Sequence, residues 1–387
     1  GAAALNVWQA APFYLGLLVA LWYSRRFWQR ESVVMAMPLV GLVGLLLPGV
    51  VSEYAPHFHR ILGASAPTAL LCAIGLDAIW RGADSLRFAD RRGASGAFMQ
   101  YAGTLVVTLL LIAGTITSAR DYFVRWATLP DLFYAFDVGF WELGQWVAQQ
   151  PSSQTIYISP QGENHTTLAF AWRERLASAE SNHPIRYDGR YVFPLLDGEN
   201  PEPERYVVIE HEDFRTPLLL PGVFPNHTID YTIRDPQGKI YAQVYTRPAA
   251  TLPAREPKIV FEAAVGDGIV LLGYDILPEP VRVGGSLYVQ YHWLVDKPPS
   301  HDWTIFTHLV DQSGTLVAGF DSPPGRGALV TMRWQQHWRV LDEYELLLPP
   351  ELLPGEYTLR MGLYDGEGHT LPEDGNGITL GQVRIEE

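Results

Sequence analysis

The polar loop SEYAPHFHR, residues 52–60, sets Glu53, His57, His59 and Arg60 close together between two long apolar runs. A guanidinium presents a planar fork of donors that matches phosphate oxygens, so Arg60 is a candidate contact for a lipid phosphate. The plainer alternative is an interfacial Arg that anchors a helix by snorkelling. His57 and His59 stand two apart, share a face if extended, and with Glu53 could hold a metal ion. Two imidazoles and one carboxylate in a single loop do not specify a site, so no metal and no cofactor is assigned.

Two further constellations lie near the C-terminus. Trp293, Trp303, Trp334 and Trp338 offer ring faces that can pack on a pyranose, and Trp334 and Trp338 are the candidate carbohydrate contacts. Core packing is the commoner use of Trp in a β-sandwich. The segment DGEGHTLPEDGNG, residues 365–377, carries Asp365, Glu367, Glu373, Asp374 and Asn376 among glycines, as calcium loops do, but without the EF-hand spacing. It reads better as a polar hairpin loop. No nucleophile–base pattern and no glycine-rich phosphate loop after a strand is present, so no catalytic residue is assigned.

The elements that would position these residues begin in the membrane. Tyr101–Ser118 carries no charged side chain, and as a helix it reaches roughly 27 Å, close to the roughly 30 Å of a hydrocarbon core. Leu5–Tyr23, Val33–Val51 and Ile61–Trp80 are read as three earlier crossings, making four. Pro38 and Pro48 predict a kinked second helix, and Gly63, Ala64, Ser65 and Ala66 allow close packing of the third. Arg25, Arg26 and Arg30 follow the first run, and Arg81, Arg87, Arg91 and Arg92 follow the third. The excess of positive charge makes both loops cytoplasmic. Residues 52–60, both termini and everything after Ser118 are then expected outside, on the extracytoplasmic side of a bacterial cytoplasmic membrane.

Charge divides the chain at the same place. Residues 1–118 hold eight Arg and five Asp or Glu, a net of +3, which leaves −17 beyond them to reach the chain's −14. An acidic exterior part argues against nucleic acid as a partner. Cys72 is the only cysteine, so no intrachain disulfide can form. The chain opens with neither Met nor a signal-peptide pattern.

Beyond Ser118, residues 119–250 are read as a small extracytoplasmic α/β domain. Phe133, Phe136, Phe140, Leu143 and Val147 recur at helical spacing in one helix running from Pro130 to Gln149. Thr155–Ser159 and Arg205–Ile209 are expected as buried strands, with a helix over Thr166–Leu176 between them. His227–Arg247 is expected as a hairpin turning at Asp235–Gly238. Asn164 and Asn226 each open an Asn-His-Thr glycosylation triplet. Pro248–Pro257 is proline-rich and is read as a linker. Residues 251–387 then alternate apolar and polar in short runs, at Ser286–Trp293, Thr304–Val310, Tyr344–Leu348, Tyr357–Tyr364 and Thr379–Ile385. That pattern predicts an all-β, immunoglobulin-like sandwich.

The order of these parts resembles the C-terminal portion of bacterial polytopic glycosyltransferases of the GT-C class, of the glycosyltransferase family 39 or protein mannosyltransferase-like type. The matching residues are His57, Arg60 and Pro67, then Tyr122, Phe123, Trp126, Ala127 and Pro130. The final part is similar to the β-sandwich that some bacterial members carry, at Trp293, Phe306, His308, Leu309, Gly314, Asp321, Pro323, Thr331, Trp334, Asp342, Pro354 to Tyr357 and Gly362 to Asp365. The resemblance implies sugar transfer from a polyprenyl-phosphate donor to an acceptor on the outer face, with Arg60 and His57 on the lipid-phosphate side. Family members place a catalytic Asp or Glu in the first outside loop, close after their first crossing. Here the first loop is expected to be cytoplasmic, and Glu53 does not occupy that position. The catalytic half is therefore expected to be missing and the chain inactive alone. Two other readings stand beside this one. One is a structural or accessory subunit docked with other subunits of an electron-transfer or photosynthetic membrane complex, and the other is a membrane-tethered carbohydrate-binding module. Membrane lipid is an expected partner in each.

Overall fold

The computed structural model describes residues 5–25, 30–51, 62–89, 94–177, 182–198, 200–373 and 375–387. The chain forms two compact units, Gly1–Leu129 and Pro130–Glu387.

The first unit is helical: α1 (Val7–Ser24), α2 (Arg30–Val50), α3 (Ser65–Ala89) after a short 3₁₀ turn, and α4 (Ala94–Arg120). Asn6 starts α1 through a capping box: its side chain accepts the N–H groups of Trp8 and Gln9, while the Gln9 side chain accepts the Asn6 N–H. α4 passes into a π-helical turn, Asp121–Trp126, where the Tyr122 and Trp126 rings stack with centroids 5.1 Å apart. Among the described residues three stretches are long and apolar enough to cross a membrane: Ser32–Val50, Leu62–Ala83 and Tyr101–Trp126. α1 is not among them. Leu105, Leu109, Ile112 and Ile116, three and four apart along α4, are all exposed. An apolar stripe of this kind needs lipid or another helix against it.

Small residues set the closest approach inside this unit. Gly16 of α1 faces Leu71 and Gly75 of α3, and Gly75 faces Pro12 and Gly16 of α1. Polar atoms add a second tie, since Gln9 Nε2 donates to Ser118 Oγ at 2.9 Å and Asn6 Nδ2 to the same oxygen at 3.3 Å.

The second unit begins with α5 (Leu132–Ala135) and α6 (Val138–Ala148). One helix was expected here, but Asp137 takes a left-handed backbone with φ 53° and breaks it. Phe133, Phe140, Leu143 and Val147 are buried as the periodicity predicts, whereas Phe136 lies at the break and is exposed. β1 (Ile156–Ser159) follows, then α7 (Thr166–Ala171) and α8 (Arg173–Ala177), which split at Trp172 what was read as one helix. Next come β2 (Ile185–Arg186), β3 (Val192–Leu196), β4 (Glu204–Val208), α9 (Thr216–Val223), β5 (Thr228–Arg234) and β6 (Ile240–Arg247). One mixed sheet runs β2-β1-β4-β6-β5, with β1 parallel to both β2 and β4. The β5–β6 hairpin turns on Asp235, whose carboxylate accepts the N–H groups of Gln237 and Lys239.

The rest of the unit is all-β: β7 (Ile259–Gly266), β8 (Ile269–Leu277), β9 (Val281–Arg282), β10 (Ser286–Val295), β11 (Thr304–Val310), β12 (Leu316–Ser322), β13 (Trp338–Leu347), β14 (Gly355–Tyr364), β15 (Thr370–Leu371) and β16 (Ile378–Glu386). They form sheets ordered β3-β13-β10-β8-β7 and β12-β11-β14-β16-β9. One core holds inward residues of both, including Leu287, Val289, Tyr291 and Trp293 against Ile305, Leu309, Leu359 and Met361. Tyr291 Oη and Thr307 Oγ1 are hydrogen-bonded across it at 2.9 Å.

The sandwich and the mixed sheet are built into each other. β3, from the preceding segment, pairs antiparallel with β13 from Trp338↔Leu196 to Asp342↔Val192. Behind it Phe193 stacks on Tyr206 at 5.1 Å and Tyr206 on Tyr157 at 4.8 Å, and Tyr157 meets the edge of Trp338 at 5.9 Å. The proline-rich stretch after β6 is pinned too: Ala254 N–H donates to Val223 O, and Arg255 reaches Asp275 at 3.1 Å.

Candidate functional site

Polar and aromatic side chains gather where β1 and β4 end. In parallel arrangements the carboxyl ends of strands are where loops diverge and ligands bind. After β1, Gln161 Nε2 donates to Glu212 Oε2 at 2.9 Å, and Glu212 belongs to the segment leaving β4. His211, beside it, stacks on Tyr241 at 4.4 Å and meets the edge of Tyr134 at 5.7 Å. His165, at the head of α7, stacks on Phe140 at 4.0 Å, with its Nε2 4.0 Å from Asp137 Oδ2. That carboxylate also accepts Thr167 Oγ1–H at 2.7 Å. The Phe140 ring contacts both halves of the cluster, 5.7 Å from Tyr241 and 6.3 Å from His211.

Local sequence explains the arrangement. Gly139 lets α6 come down on Tyr241, where a Cβ would lie 2.3 Å from the ring. The Asp137 break points its carboxylate toward the head of α7 rather than along a helix. Burial lowers the His211 pKa and outweighs the neighbouring Glu212, so the ring is held neutral. Burial likewise raises the Tyr241 hydroxyl well above its ordinary range.

Two imidazoles, two carboxylates and three aromatic faces can stack against a ligand and hydrogen-bond it. The nearby hydroxyl, Thr167 Oγ1, donates to Asp137 rather than to an imidazole. The Tyr134 hydroxyl likewise donates to a carboxylate, Asp235 Oδ2 at 2.9 Å, so among the described residues no hydroxyl of the cluster is hydrogen-bonded to an imidazole. Ser159 suggests a nucleophile by its type but is structural. Its Oγ donates to Asp213 Oδ2 and accepts the Gly189 N–H at 2.8 Å. Asp213 Oδ1 accepts the N–H groups of Arg215 and Thr216 at the start of α9.

The sequence-derived candidates lie elsewhere. His57 and Arg60, with Glu53 and His59, are outside the described residues. Trp334 and Trp338 are 1% and 2% exposed. Trp334 Nε1 donates to Leu329 O at 3.0 Å, and neither ring offers a face to a sugar. The reason is periodicity: Trp338 opens β13 on its inward face, and Trp334 packs beside Trp293 in the core. Exposed rings occur instead at Trp141 and Phe170, 6.1 Å apart on α6 and α7. The polar 365–377 loop turns on Asp365, whose carboxylate accepts the N–H groups of Glu367 and His369. His165, His211, Asp137 and Glu212 were not singled out from sequence, although the strand–helix–strand reading locates the carboxyl ends they follow.

No protein-family model and no curated protein matches the chain. Among solved structures it is similar to the C-terminal domain of wzt, 14% identical over 34% of this chain and 83% of that one, with a TM-score of 0.25. A beta-glucuronidase from glycoside hydrolase family 2 is 8% identical over 38% of this chain, with a TM-score of 0.19. A family 123 glycoside hydrolase from Clostridium perfringens is 12% identical over 27% of this chain, also at 0.19. The matched regions span only 14% and 21% of those two hydrolases. At such TM-scores none of these likenesses bears on function.

Proposed function

We propose that this chain works as the membrane-anchored, outer-face part of a GT-C glycosyltransferase-like protein that takes sugar from a polyprenyl-phosphate donor. In this reading α1 joins the three apolar stretches to make four crossings of a bacterial cytoplasmic membrane. The Arg-rich loops face the cytoplasm, and the unit from Pro130 onward lies outside. Its first part acts as an α/β domain and its second as an immunoglobulin-like sandwich. One observation carries the reading: among the described residues three helices apolar enough to span a membrane are followed, after the aromatic turn Asp121–Trp126, by a mixed-sheet segment and then an all-β region. The cluster at the ends of β1 and β4 offers stacking faces but no hydroxyl hydrogen-bonded to an imidazole among the described residues, and in this reading the transfer step belongs to other parts of the enzyme. Arg60 and His57 would meet the lipid phosphate.

The test uses the whole 387-residue chain in detergent. Offered a labelled polyprenyl-phosphate sugar, it should transfer none, while a photoreactive polyprenyl phosphate should label its helical unit and lose that label on Arg60→Ala. Turnover by the isolated chain, or labelling indifferent to Arg60, would overturn the proposal. The exposed apolar stripe of α4 favours a second reading, an accessory subunit docked beside other helices. Co-purification of a stable membrane complex in mild detergent, without lipid labelling, would support that reading instead.

A further inference from the structure

At one end of the sandwich, two loops distant in sequence bring His301, Asp365 and His369 together, with one ligand atom from each lying within 4.8 Å of the others. We propose that these three side chains form a binding site for a divalent metal of the zinc class, one that ties the loop between β10 and β11 to the turn between β14 and β15.

Asp365 is the fixed member. It is buried, and its Oδ1 accepts the N–H groups of Glu367 and His369, both at 2.9 Å, while Oδ2 takes His369 Nδ1 at 2.7 Å. The turn thus presents a carboxylate oxygen whose direction is set by backbone donors. His369 is exposed beyond that single contact and can swing onto an ion. His301 arrives from the other loop, its ring centroid 5.4 Å from that of His369.

His301 already has support behind its ring. Its Nδ1 lies 3.0 Å from Ser300 Oγ and 3.8 Å from Asp267 Oδ2. Asp267 is itself held by Trp303 Nε1 at 2.9 Å and by the Ser300 N–H and Oγ–H, both at 2.8 Å. Ser300 Oγ, which donates to Asp267, is left to accept from His301 Nδ1–H. The serine and the carboxylate behind it orient the imidazole and leave Nε2 to bind, a support of the kind metal-ligating histidines commonly have. Asp267 also takes φ 47°, in the tight turn between β7 and β8 that carries it to this end of the sandwich.

Two imidazoles and one carboxylate select a borderline metal such as Zn²⁺ over Ca²⁺ or Mg²⁺, which prefer an all-oxygen shell. Tetrahedral ligands about 2.1 Å from zinc sit roughly 3.4 Å apart. Closing from 4.8 Å requires only side-chain rotation of the two half-exposed imidazoles. His369 would then exchange its bond to Asp365 for one to the metal, and water would fill the fourth position.

The test is titration of the full, tag-free chain in detergent with Zn²⁺ followed by calorimetry, and with Co²⁺ followed by its visible spectrum. One site is expected, with tetrahedral cobalt bands, no competition from Ca²⁺, and a higher Tm when zinc is bound. His301→Ala and His369→Ala should each weaken binding at least tenfold and remove the Tm rise. Asp267→Asn should weaken it by about 10- to 100-fold by loosening the His301 ring. Among the described residues the His301 side chain makes no hydrogen bond to the β14–β15 turn, so its variant decides the matter should His369→Ala disturb that turn. No cobalt spectrum, or zinc affinity unchanged in His301→Ala, would overturn the proposal.

Discussion

Gly16 and Gly75 mark the point where α1 and α3 touch backbone to backbone. A Cβ on Gly16 would sit 1.8 Å from the Leu71 carbonyl oxygen, and one on Gly75 would sit 1.9 Å from the Pro12 carbonyl oxygen. Neither obstacle is a side chain that can rotate away. Gly16→Ala or Gly75→Ala must therefore push the helices apart, at a cost of about 1–3 kcal/mol for overpacking. Gly44 has nothing within 4 Å of its added carbon, so Gly44→Ala should be neutral or slightly favourable. Thermal unfolding of the three variants in detergent checks the contrast, and equal Tm values would remove glycine packing as the organising contact.

Much of this fold could be read from pattern. Period-two alternation locates β10, β11, β14 and β16 because one face of each strand is buried, and uninterrupted apolar length locates α2, α3 and α4. β3 escaped because VFPLL is a short buried run containing Pro194, and its partner β13 is remote in sequence. Its place is set by the Phe193–Tyr206–Tyr157 stack, which no local pattern encodes. Asp137 broke an expected helix through a single left-handed residue, and that break helps assemble the cluster around His165. The His301–Asp365–His369 group could not be anticipated, since it depends on which turns meet at one end of the sandwich.

Trp334 fills the core beside Trp293, with centroids 6.4 Å apart, and its indole N–H is satisfied by Leu329 O. Trp334→Ala should cost about 3–5 kcal/mol, as large buried truncations do. Any loss of glycan binding in that variant should track loss of fold by near-UV circular dichroism. Trp141→Ala removes an exposed ring and should leave stability within about 0.5 kcal/mol. Glycan binding abolished by Trp334→Ala in a fully folded protein would contradict the burial argument.

Arg247 is fully buried between the mixed sheet and the segment that follows it. Its guanidinium donates to Glu204 Oε2 at 2.9 Å, to Gly198 O at 2.6 Å and to Thr251 O, and lies over the Phe224 ring. Burial raises the Glu204 pKa, and the Arg247 charge works against that rise. Removing the cation alone strands a buried carboxylate, so Arg247→Ala should destabilise by about 3–5 kcal/mol. Adding Glu204→Gln to an Arg247→Met chain should recover part of that loss. Urea unfolding of the single and double variants checks this; a double variant as unstable as the sum of its parts would deny the coupling.

Asp342 gives the unit from Pro130 to Glu387 a pH dependence of defined sign. Its carboxyl is fully buried on β13, and burial pushes its pKa up to about 7 against the opposing pull of the Gly325 N–H and the Tyr344 hydroxyl. Two donors reach that carboxyl, the Gly325 N–H to Oδ1 at 2.9 Å and the Tyr344 hydroxyl to Oδ2 at 2.7 Å, and burial outweighs both. The folded state then keeps a proton that the unfolded chain releases near pH 4, so stability falls as pH rises from about 4 toward 7. Over that whole interval the loss amounts to at most about 4 kcal/mol. Asp275 acts in the opposite sense at lower pH. Burial alone would raise its carboxyl, but His292, the Lys258 N–H and Arg255 outweigh burial and hold it at about 2. The stability it confers is present above pH 4 and is lost as the solution is acidified toward 2. Between pH 5 and 7 the Asp342 slope should therefore stand alone of the two. Asp342→Asn keeps the Gly325 contact through its amide oxygen and turns a donating NH2 toward Tyr344 Oη, whose hydroxyl can then donate to Ser322 O. It should therefore flatten urea-midpoint stability across that interval and exceed the native chain above pH 7. An unchanged slope in Asp342→Asn would assign the pH dependence to another group.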